Sequence, residues 1–456
     1  MSNSISRTSW LFCSLLLVGA CGAPSATQDQ DGAAGAANAA GADARGANAG
    51  TNQDAEATAN GAGAGGAAQS MPWVDDAVGD DEPVDCTKGG YIQASETWGP
   101  VEGCPDGIAV TNDVFVSGKD VVLTIEPGTK LNFETGVVLT IRDQAALSAV
   151  GTEQEPILFT GWQPIKGSWG GISIQSASLQ NEIRHATIEY AGGPDAIGGA
   201  LEIDSEAPAR LKLTQTTFSN NDRYALIVES LAVLDEFDDN VITENTWAAY
   251  TTPRSVPQLS GTNNLITKNG NGNAVTVATG GTLKTETTWP NLSPAVLRLR
   301  RASSTANSQV DIYAHLTIEP GTVIELESSG GIEIHETSSG LSAVGTAEKP
   351  IVFRGVDGAS WGGITFYASS WSNNALEYVH IENAGGPVPD TTMCADDLTK
   401  SVMLWNISSE TPSYLYVANV TFTNAYPVDR DIVWCQDSSV VFGETNVGTA
   451  DDGSLK

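Results

Sequence analysis

Short runs of alternating apolar and polar residues recur along most of the chain. Examples are Val121–Ile125, Val137–Ile141 and Ile157–Thr160, and glycine, proline or aspartate follows each of them closely. Alternation with period two predicts β-strands with one buried face, and the residues that follow predict turns. No long segment shows the 3.6-residue period of an amphipathic helix. The pattern therefore predicts an all-β fold built from many short strands.

A period of 24 residues organises part of these strands into a repeating unit. Asn221, Asn245 and Asn269 follow this period, and phenylalanine or isoleucine lies three residues before each of them. A period in the low twenties, rich in glycine and β-branched residues, is typical of one coil of a β-solenoid. Stacked asparagines form ladders, because each amide can hydrogen-bond above and below. We therefore expect an asparagine ladder at one corner of a parallel β-helix.

An internal duplication relates the two halves of the repetitive region, at a spacing of about 193 residues. The element LTIEPGT at Leu123–Thr129 recurs at Leu316–Thr322, and SWGGI at Ser168–Ile172 recurs at Ser360–Ile364. The elements LSAVGT and AGGP recur in the same order. Repeats decide architecture before single elements do. We expect the proline-glycine pairs to form turns and the repeated tryptophans to cap or line the core.

The duplication and the composition together predict four segments. They are a signal peptide at 1–20, a lipidated cysteine with a low-complexity acidic tether at 21–85, a first β-helix module at 86–280 and a second module with an insertion at 281–456. The tether consists mainly of alanine, glycine, asparagine and acidic residues, so it lacks the apolar side chains for a core and is expected to be disordered.

The N-terminus carries signals for export. Arg7 precedes the apolar stretch Trp10–Val18, which is too short to cross a bilayer of about 30 Å as a helix. The sequence VGAC that ends at Cys21 resembles the bacterial lipobox. The resemblance implies a lipid on Cys21, and Gly22 after it favours the outer membrane, with the chain facing the periplasm or the cell surface. The alternative is an ordinary signal peptide that is cleaved after Ala20.

Four of the six cysteines remain after the signal peptide and the lipidation site are set aside. An even number in an exported chain indicates disulfides. We favour the pairs Cys86–Cys104 and Cys394–Cys435, the second of which flanks the insertion, although other pairings stay open. A four-cysteine metal site is the alternative, but the closely spaced cysteine pairs of zinc sites do not occur. No metal or other cofactor is therefore expected.

The formal charge of −33 restricts the classes of partner. Phosphate binding depends on lysine and arginine, so nucleic acid is not expected. An acidic surface suits solubility, a cationic partner or divalent cations. The expected partners are the membrane, through the N-terminal lipid, and either an extracellular polysaccharide or a surface protein.

The repeated elements also carry a family resemblance. Ile-Glu-Pro-Gly-Thr, Leu-x-Ala-x-Gly-Thr-x-x-x-Pro-Ile-x-Phe and Trp-Gly-Gly-Ile resemble the pectin-lyase-like, right-handed β-helix surface lipoproteins seen in myxobacteria, over about 86–456. The resemblance implies a right-handed parallel β-helix made of two tandem duplicated modules. Pectin-lyase-like folds include lyases and hydrolases, but fold alone does not imply activity.

The sequence contains no complete set of residues that matches a known catalytic motif. Glycoside cleavage usually requires two carboxylates about 5–10 Å apart, and Asp238 and Asp239 lie in the fold without evident partners. Arg298, Arg300 and Arg301 form the one basic cluster and read as strand residues facing solvent. We therefore expect a non-enzymatic cell-envelope rod with a structural or interaction role, adhesin-like or glycan-binding. The alternative is a polysaccharide lyase or glycoside hydrolase.

Aromatic side chains are the remaining candidates for a ligand surface. Tyrosine and tryptophan can present flat faces to sugars, but they also pack in cores, which is the reading we favour for most of these. The candidate ligand-facing aromatics are Trp162, Trp371, Tyr190, Tyr367 and Tyr378.

Overall fold

The structure is a computed structural model that describes residues 84–193, 198–204, 208–302, 308–385, 401–405, 412–424, 432–434 and 438–443. All of these residues belong to one compact unit, Gly79–Lys456. Regular structure in the described part consists of β-strands and two short 3-10 helices. None of its helices is long and apolar enough to cross a membrane. The predicted signal peptide, the lipidation site Cys21 and nearly all of the tether lie outside the described residues.

The strands follow one another in short coils. The early coils contain Thr87–Ile92 (β1), Glu96–Trp98 (β2), Ile108–Val116 (β3), Val122–Ile125 (β4), Lys130–Phe133 (β5), Val138–Ile141 (β6), Ala146–Val150 (β7), Ile157–Gly161 (β8), Gly171–Ile174 (β9), Glu182–Arg184 (β10), Ala186–Glu189 (β11) and Gly199–Ile203 (β12). The middle coils contain Arg210–Thr214 (β13), Thr217–Ser219 (β14), Tyr224–Val228 (β15), Val233–Asp238 (β16), Val241–Thr243 (β17), Trp247–Thr251 (β18), the 3-10 helix Val256–Leu259 (η1), Leu265–Thr267 (β19), Ala274–Thr279 (β20), Thr282–Leu283 (β21), Thr287–Trp289 (β22) and Val296–Arg301 (β23). The late coils contain Gln309–Ile312 (β24), His315–Ile318 (β25), Val323–Leu326 (β26), Gly331–His335 (β27), Gly340–Val344 (β28), Ile351–Gly355 (β29), the 3-10 helix Val356–Gly358 (η2), Gly363–Tyr367 (β30), Ala375–Glu382 (β31), Val402–Trp405 (β32), Tyr414–Thr423 (β33), Ile432–Trp434 (β34) and Ser439–Phe442 (β35).

These strands form parallel ladders on three faces of a right-handed β-helix, as the sequence predicts. The first face holds β2, β4, β7, β10, β13 and β16 and, in later coils, β21, β24, β27, β30, β32 and β34. The second face holds β5, β8, β11, β14, β17 and β19, and later β22, β25, β28 and β35. The third face holds β6, β9, β12, β15, β18, β20, β23, β26 and β29. The long strands β3, β31 and β33 run from the second face into the third.

The duplicated motifs do not lie on the same faces. The motif LTIEPGT begins in β4 on the first face of the early coils, but its copy begins in β25 on the second face. Likewise, β5 lies on the second face, but its copy β26 lies on the third face, where it pairs with β23, which in turn pairs with β20. Each copied strand is therefore displaced by one face, and homologous outward positions project from different sides of the helix.

Apolar side chains from all three faces fill a shared core. Trp169 and Trp361, the copied tryptophans, are fully buried and line it. Each indole Nε1 donates a hydrogen bond of 2.8 Å to a backbone oxygen, of Glu189 and Glu382 respectively. A buried indole N–H needs such a partner, so this geometry explains why the same contact occurs twice.

The predicted asparagine ladder is present and buried. Asn221 Nδ2 donates to Asn245 Oδ1 at 2.9 Å, and Asn245 Nδ2 donates to Asn269 Oδ1 at 3.0 Å. A second ladder pairs Asn240 with Asn264 at 3.1 Å with the same 24-residue separation. The asparagine amides also donate to backbone carbonyl oxygens at the corners, where the hydrogen bonding between strands is interrupted.

The predicted disulfide between Cys86 and Cys104 is confirmed, with 5.8 Å between the two Cα atoms. It joins the start of β1 to the turn before β3. Cys394 and Cys435 lie outside the described residues, so the second predicted disulfide stays a prediction.

Candidate functional site

An open groove of about 400 Å³ lies on the third face, along strands β12, β15, β18, β20 and β23. Its floor is set by the register of the parallel ladder, which places Glu202 beside Ile227, Ile227 beside Tyr250 and Tyr250 beside Thr276. Neighbouring strands lie about 4.8 Å apart, so these side chains form one continuous outward row. The residues that line the groove include Glu202, Tyr224, Glu229, Trp247, Tyr250 and Arg300.

Three aromatic rings pack together in the groove. The centroids of Tyr224 and Trp247 are 4.6 Å apart with the rings edge to face, and Tyr224 lies 5.3 Å from Tyr250. The guanidinium of Arg300 lies over the Trp247 ring, 4.7 Å from its centroid. Edge-to-face and cation–π contacts of this kind fix ring orientation, so the aromatic surface is held in place by its own contacts.

Two carboxyl groups beside the rings have raised pKa values. Burial, followed by the negative charges of Asp204 and Glu229, raises the pKa of Glu202 to about 7. Burial, followed by the charge of Asp204, also raises the pKa of Glu229. Burial and the nearby Glu229 raise the pKa of the Tyr250 hydroxyl to about 12. At neutral pH, Glu202 is therefore divided between its acid and its carboxylate, and it can donate or accept a hydrogen bond.

The arginines of β23 do not simply face solvent, which corrects the expectation from the sequence. Arg298 Nη2 lies 2.6 Å from Glu325 Oε2, and Arg354 Nη2 lies 2.8 Å from Glu325 Oε1. Burial alone would raise the pKa of Glu325, but the hydrogen bonds and charges of the two arginines lower it. Arg300 covers Trp247, and Arg301 is exposed beside the groove. Arg298 is thus occupied by an ion-pair network. Arg300 also has an ion pair, with its Nε 3.2 Å from Glu327 Oε1, and it lines the groove together with Arg301.

The adjacent aspartates of β16 and its following turn form hydrogen bonds to residues one coil further along the chain. Asp238 Oδ1 accepts hydrogen bonds from the backbone N–H of Thr262 at 2.6 Å and from its hydroxyl at 2.7 Å. Asp239 Oδ1 accepts one from Asn263 Nδ2 at 2.9 Å. These bonds join successive exposed turns, so the pair has a structural role there.

The five aromatics singled out from the sequence lie apart from the groove. Trp162 is 60% exposed, so its ring is open to solvent. Tyr190 is half-buried and packs against the core, and Tyr378 is half-buried in β31. Trp371 stacks on His315, and Tyr367 stacks on His335. Whether any of these residues contacts a ligand stays a prediction.

Sequence reasoning missed the aromatic residues that do line the groove. Tyr224 and Trp247 occupy adjacent positions in neighbouring strands of the ladder, one coil apart, and Tyr250 follows on the next outward position of β18. Tyr224 and Trp247 are 23 residues apart, one fewer than the asparagine spacing, so only a search that allowed coil length to vary by a residue could have found this pair.

One group of described side chains could hold a metal ion. Asp311, Glu333 and His335 each bring one ligand atom within 4.8 Å of the others. They lie on the first face of the late coils, away from the groove residues of the third face. This group could not be recognised from the sequence, because its members come from two different coils.

Comparison with known proteins supports the fold. Residues 108–207 match the family model described as a pectate-lyase like beta helix domain. No curated protein matches the chain. With the parallel ladders, the match fits a pectin-lyase-like β-helix. The matched segment ends before most of the groove residues. The match therefore supports the fold, and it says nothing about the chemistry of the groove.

Proposed function

We propose that this chain is a lipid-anchored protein of the bacterial cell envelope whose β-helix binds carbohydrate without cleaving it. The groove on the third face is the observation that carries the proposal. It offers an ordered aromatic surface beside polar side chains, in a groove that is open to solvent. Sugar-binding sites need flat apolar surface together with a few placed hydrogen-bonding groups, and the groove has both.

The polar groups of the groove favour an uncharged glycan. The net charge of −33 disfavours an acidic polymer, because the whole surface repels it. Glu202 can donate and accept hydrogen bonds near neutral pH, which suits sugar hydroxyls that do both. Arg300 is held over Trp247, and its Nε is paired with Glu327, which leaves its two Nη atoms as further donors at the rim. A neutral oligosaccharide can bond to these groups without placing a carboxylate beside Glu202 and Glu229, as a uronate would.

The anchor and the location extend the proposal to the cell envelope. The lipobox-like sequence that ends at Cys21 supports lipidation, and the acidic tether would hold the β-helix away from the membrane. Mass spectrometry of the mature N-terminus tests this part. A diacylated or triacylated Cys21 supports it, whereas an unmodified cysteine or a start at another residue contradicts it.

A glycan array with the full chain tests the binding function. We expect neutral oligosaccharides to bind, and we expect Tyr250→Ala and Trp247→Ala each to weaken binding roughly tenfold. Trp162→Ala is the matched control, because this exposed tryptophan lies outside the groove. Circular dichroism of each variant confirms that it is folded. Loss of binding in Trp162→Ala, with full binding in the two groove variants, would place the ligand elsewhere.

Carbohydrate cleavage is the second candidate function. The favouring observation is that Glu202 and Glu229 both have raised pKa values in one groove with Arg300. Glu202 would then protonate the leaving glycosidic oxygen, with Glu229 acting on water or on the anomeric carbon. Product analysis after incubation with each bound glycan separates the two functions. Turnover that Glu202→Gln abolishes while binding persists would replace the non-catalytic proposal.

A further inference from the structure

Three ligand-type side chains converge on the first face of the second module. The parallel register places Asp311 of β24 directly beside Glu333 of β27. His335 lies two positions after Glu333 on the same strand, so its side chain projects from the same face. All three are partly sheltered, with side-chain exposures of 21%, 17% and 22% for Asp311, Glu333 and His335. Two coils therefore supply one mixed oxygen and nitrogen cluster.

The distances within the cluster match those between the ligands of one small metal ion. His335 Nε2 lies 3.1 Å from Asp311 Oδ1 and 3.5 Å from Glu333 Oε2. Two ligand atoms that each lie about 2.1 Å from a tetrahedral zinc ion are about 3.4 Å from each other. The three ligand atoms all lie within 4.8 Å of one another. Only small side-chain movements would bring all three into bonding distance of a common ion.

The imidazole is held in position by aromatic stacking on both sides. The Tyr313 ring lies 4.7 Å from the His335 ring at an interplanar angle of 9°, and the Tyr367 ring lies 5.0 Å away at 10°. The stack fixes the ring plane, and the contacts of Nε2 show that this edge of the ring is directed at the two carboxylates. Metal sites depend on such support, because ligands that are already oriented lose little freedom on binding.

We propose that Asp311, Glu333 and His335 form a binding site for one divalent first-row transition-metal ion. Asp311 Oδ1, Glu333 Oε2 and His335 Nε2 are the ligand atoms. An imidazole with two carboxylates suits zinc and its neighbours better than calcium, which prefers oxygen ligands alone. Three protein ligands leave a fourth position for water or for a group from another molecule.

The same three groups form ion pairs when no metal is bound. Burial alone would lower the pKa of His335, but hydrogen bonds to Asp311 and Glu333 and their negative charges raise it to about 9. A metal ion takes the place of the proton on Nε2 and satisfies the same carboxylates. The site shares no residue with the groove lining, so it can be present whether or not the groove binds carbohydrate.

Isothermal titration of the full chain with ZnCl₂ tests the site. We expect binding whose affinity falls roughly tenfold or more in each of Asp311→Asn, Glu333→Gln and His335→Ala. His315→Ala is the matched control, because His315 also stacks on an aromatic ring, Trp371 at 4.1 Å, but its Nε2 contacts only a backbone oxygen, of Ser338. We expect this control to bind zinc like the unaltered chain.

A cobalt spectrum supplies an independent readout. Co²⁺ bound by one imidazole and two carboxylates in a site of low coordination number gives intense d–d bands, and these should disappear in His335→Ala. Circular dichroism shows whether each variant is folded, and the three different substitutions protect against the failure of one. No zinc binding by the unaltered chain, or binding that all three variants retain, would overturn the proposal and leave the cluster as an ion-pair network.

Discussion

The two modules share their motifs but differ in what they present to solvent. In the first module the outward positions hold an arginine over a phenylalanine ring, with the Arg142 guanidinium 5.2 Å from the centroid of Phe115. In the second module the corresponding positions hold the carboxylate and histidine cluster. The positions related by strand register in the two modules are Phe115 and Asp311, Thr140 and Glu333, and Arg142 and His335.

This contrast separates the positions that the fold constrains from those it leaves free. Turn residues and buried residues recur in both modules, because every coil must turn and fill the same core. Outward residues meet only solvent and their ladder neighbours, so each copy can acquire its own chemistry. The displacement of the second module by one face adds to this freedom, since even identical outward residues would face another side.

Residues from both predicted modules line the groove. Glu202, Tyr224 and Tyr250 come from the first predicted module, whereas Arg300 and Arg301 come from the second. The third-face ladder crosses the predicted boundary at residue 280 without interruption, through the pairing of β20 with β23. A surface that neither copy contains alone therefore arises where they meet.

The copied tryptophans give the largest expected effect. Trp169→Ala and Trp361→Ala each remove a fully buried indole and its hydrogen bond, so each should lower the free energy of unfolding by about 3–5 kcal/mol. Urea unfolding followed by circular dichroism measures both. Similar losses would support equivalent cores, and a large effect in only one module would break the equivalence.

The asparagine ladder should give the next largest effect. Asn245→Ala removes the central amide and leaves Asn221 and Asn269 without that partner, which should cost about 2–3 kcal/mol. Asn263→Gly is the control, because Asn263 bonds the exposed Asp239 across the same 24-residue spacing and its φ of 56° is one that glycine adopts without strain. Its cost should stay within about 0.5 kcal/mol. Equal losses in the two variants would show that burial does not set the strength of the ladder.

The histidine cluster should make the second module sensitive to pH. The folded pKa of His335 is about 9, above its ordinary value of 6.5, so its ion pairs stabilise the fold fully below pH 6.5. This stability declines between pH 6.5 and 9 and is absent above pH 9. In metal-free buffer His335→Gln should cost about 1–2 kcal/mol at pH 6 and almost nothing at pH 10. A cost that does not change with pH would contradict the ion pairing.

The corresponding contact in the first module should matter least. Arg142 is exposed, so Arg142→Ala should lower the free energy of unfolding by about 0.5 kcal/mol through the lost contact with Phe115. This cost should not vary between pH 6 and 10, because arginine does not titrate there. Thermal unfolding at the two pH values measures it, and a pH-dependent cost would remove the contrast between the modules.

The sequence predicted features that depend on spacing alone. The asparagine ladder follows from a constant coil length over Asn221, Asn245 and Asn269, and the Cys86–Cys104 disulfide follows from two close cysteines before the first full coil. Neither prediction requires knowledge of how one strand pairs with another that is distant in the sequence.

The sites escaped prediction because coil length varies. Asp311 and Glu333 are paired across 22 residues, whereas Arg298 and Glu325 are paired across 27. A fixed period therefore does not give the register between one coil and the next. For this reason the residues that pair with Arg298 and His335 could not be predicted from the sequence.

The central claim is that the groove at the module junction binds carbohydrate. A crystal structure of the chain with the best-binding neutral oligosaccharide from the array tests it most directly. We expect sugar rings against Tyr250 and Tyr224, with hydroxyls within hydrogen-bond distance of Glu202. Sugar bound at another surface, with the third-face groove empty, would contradict it.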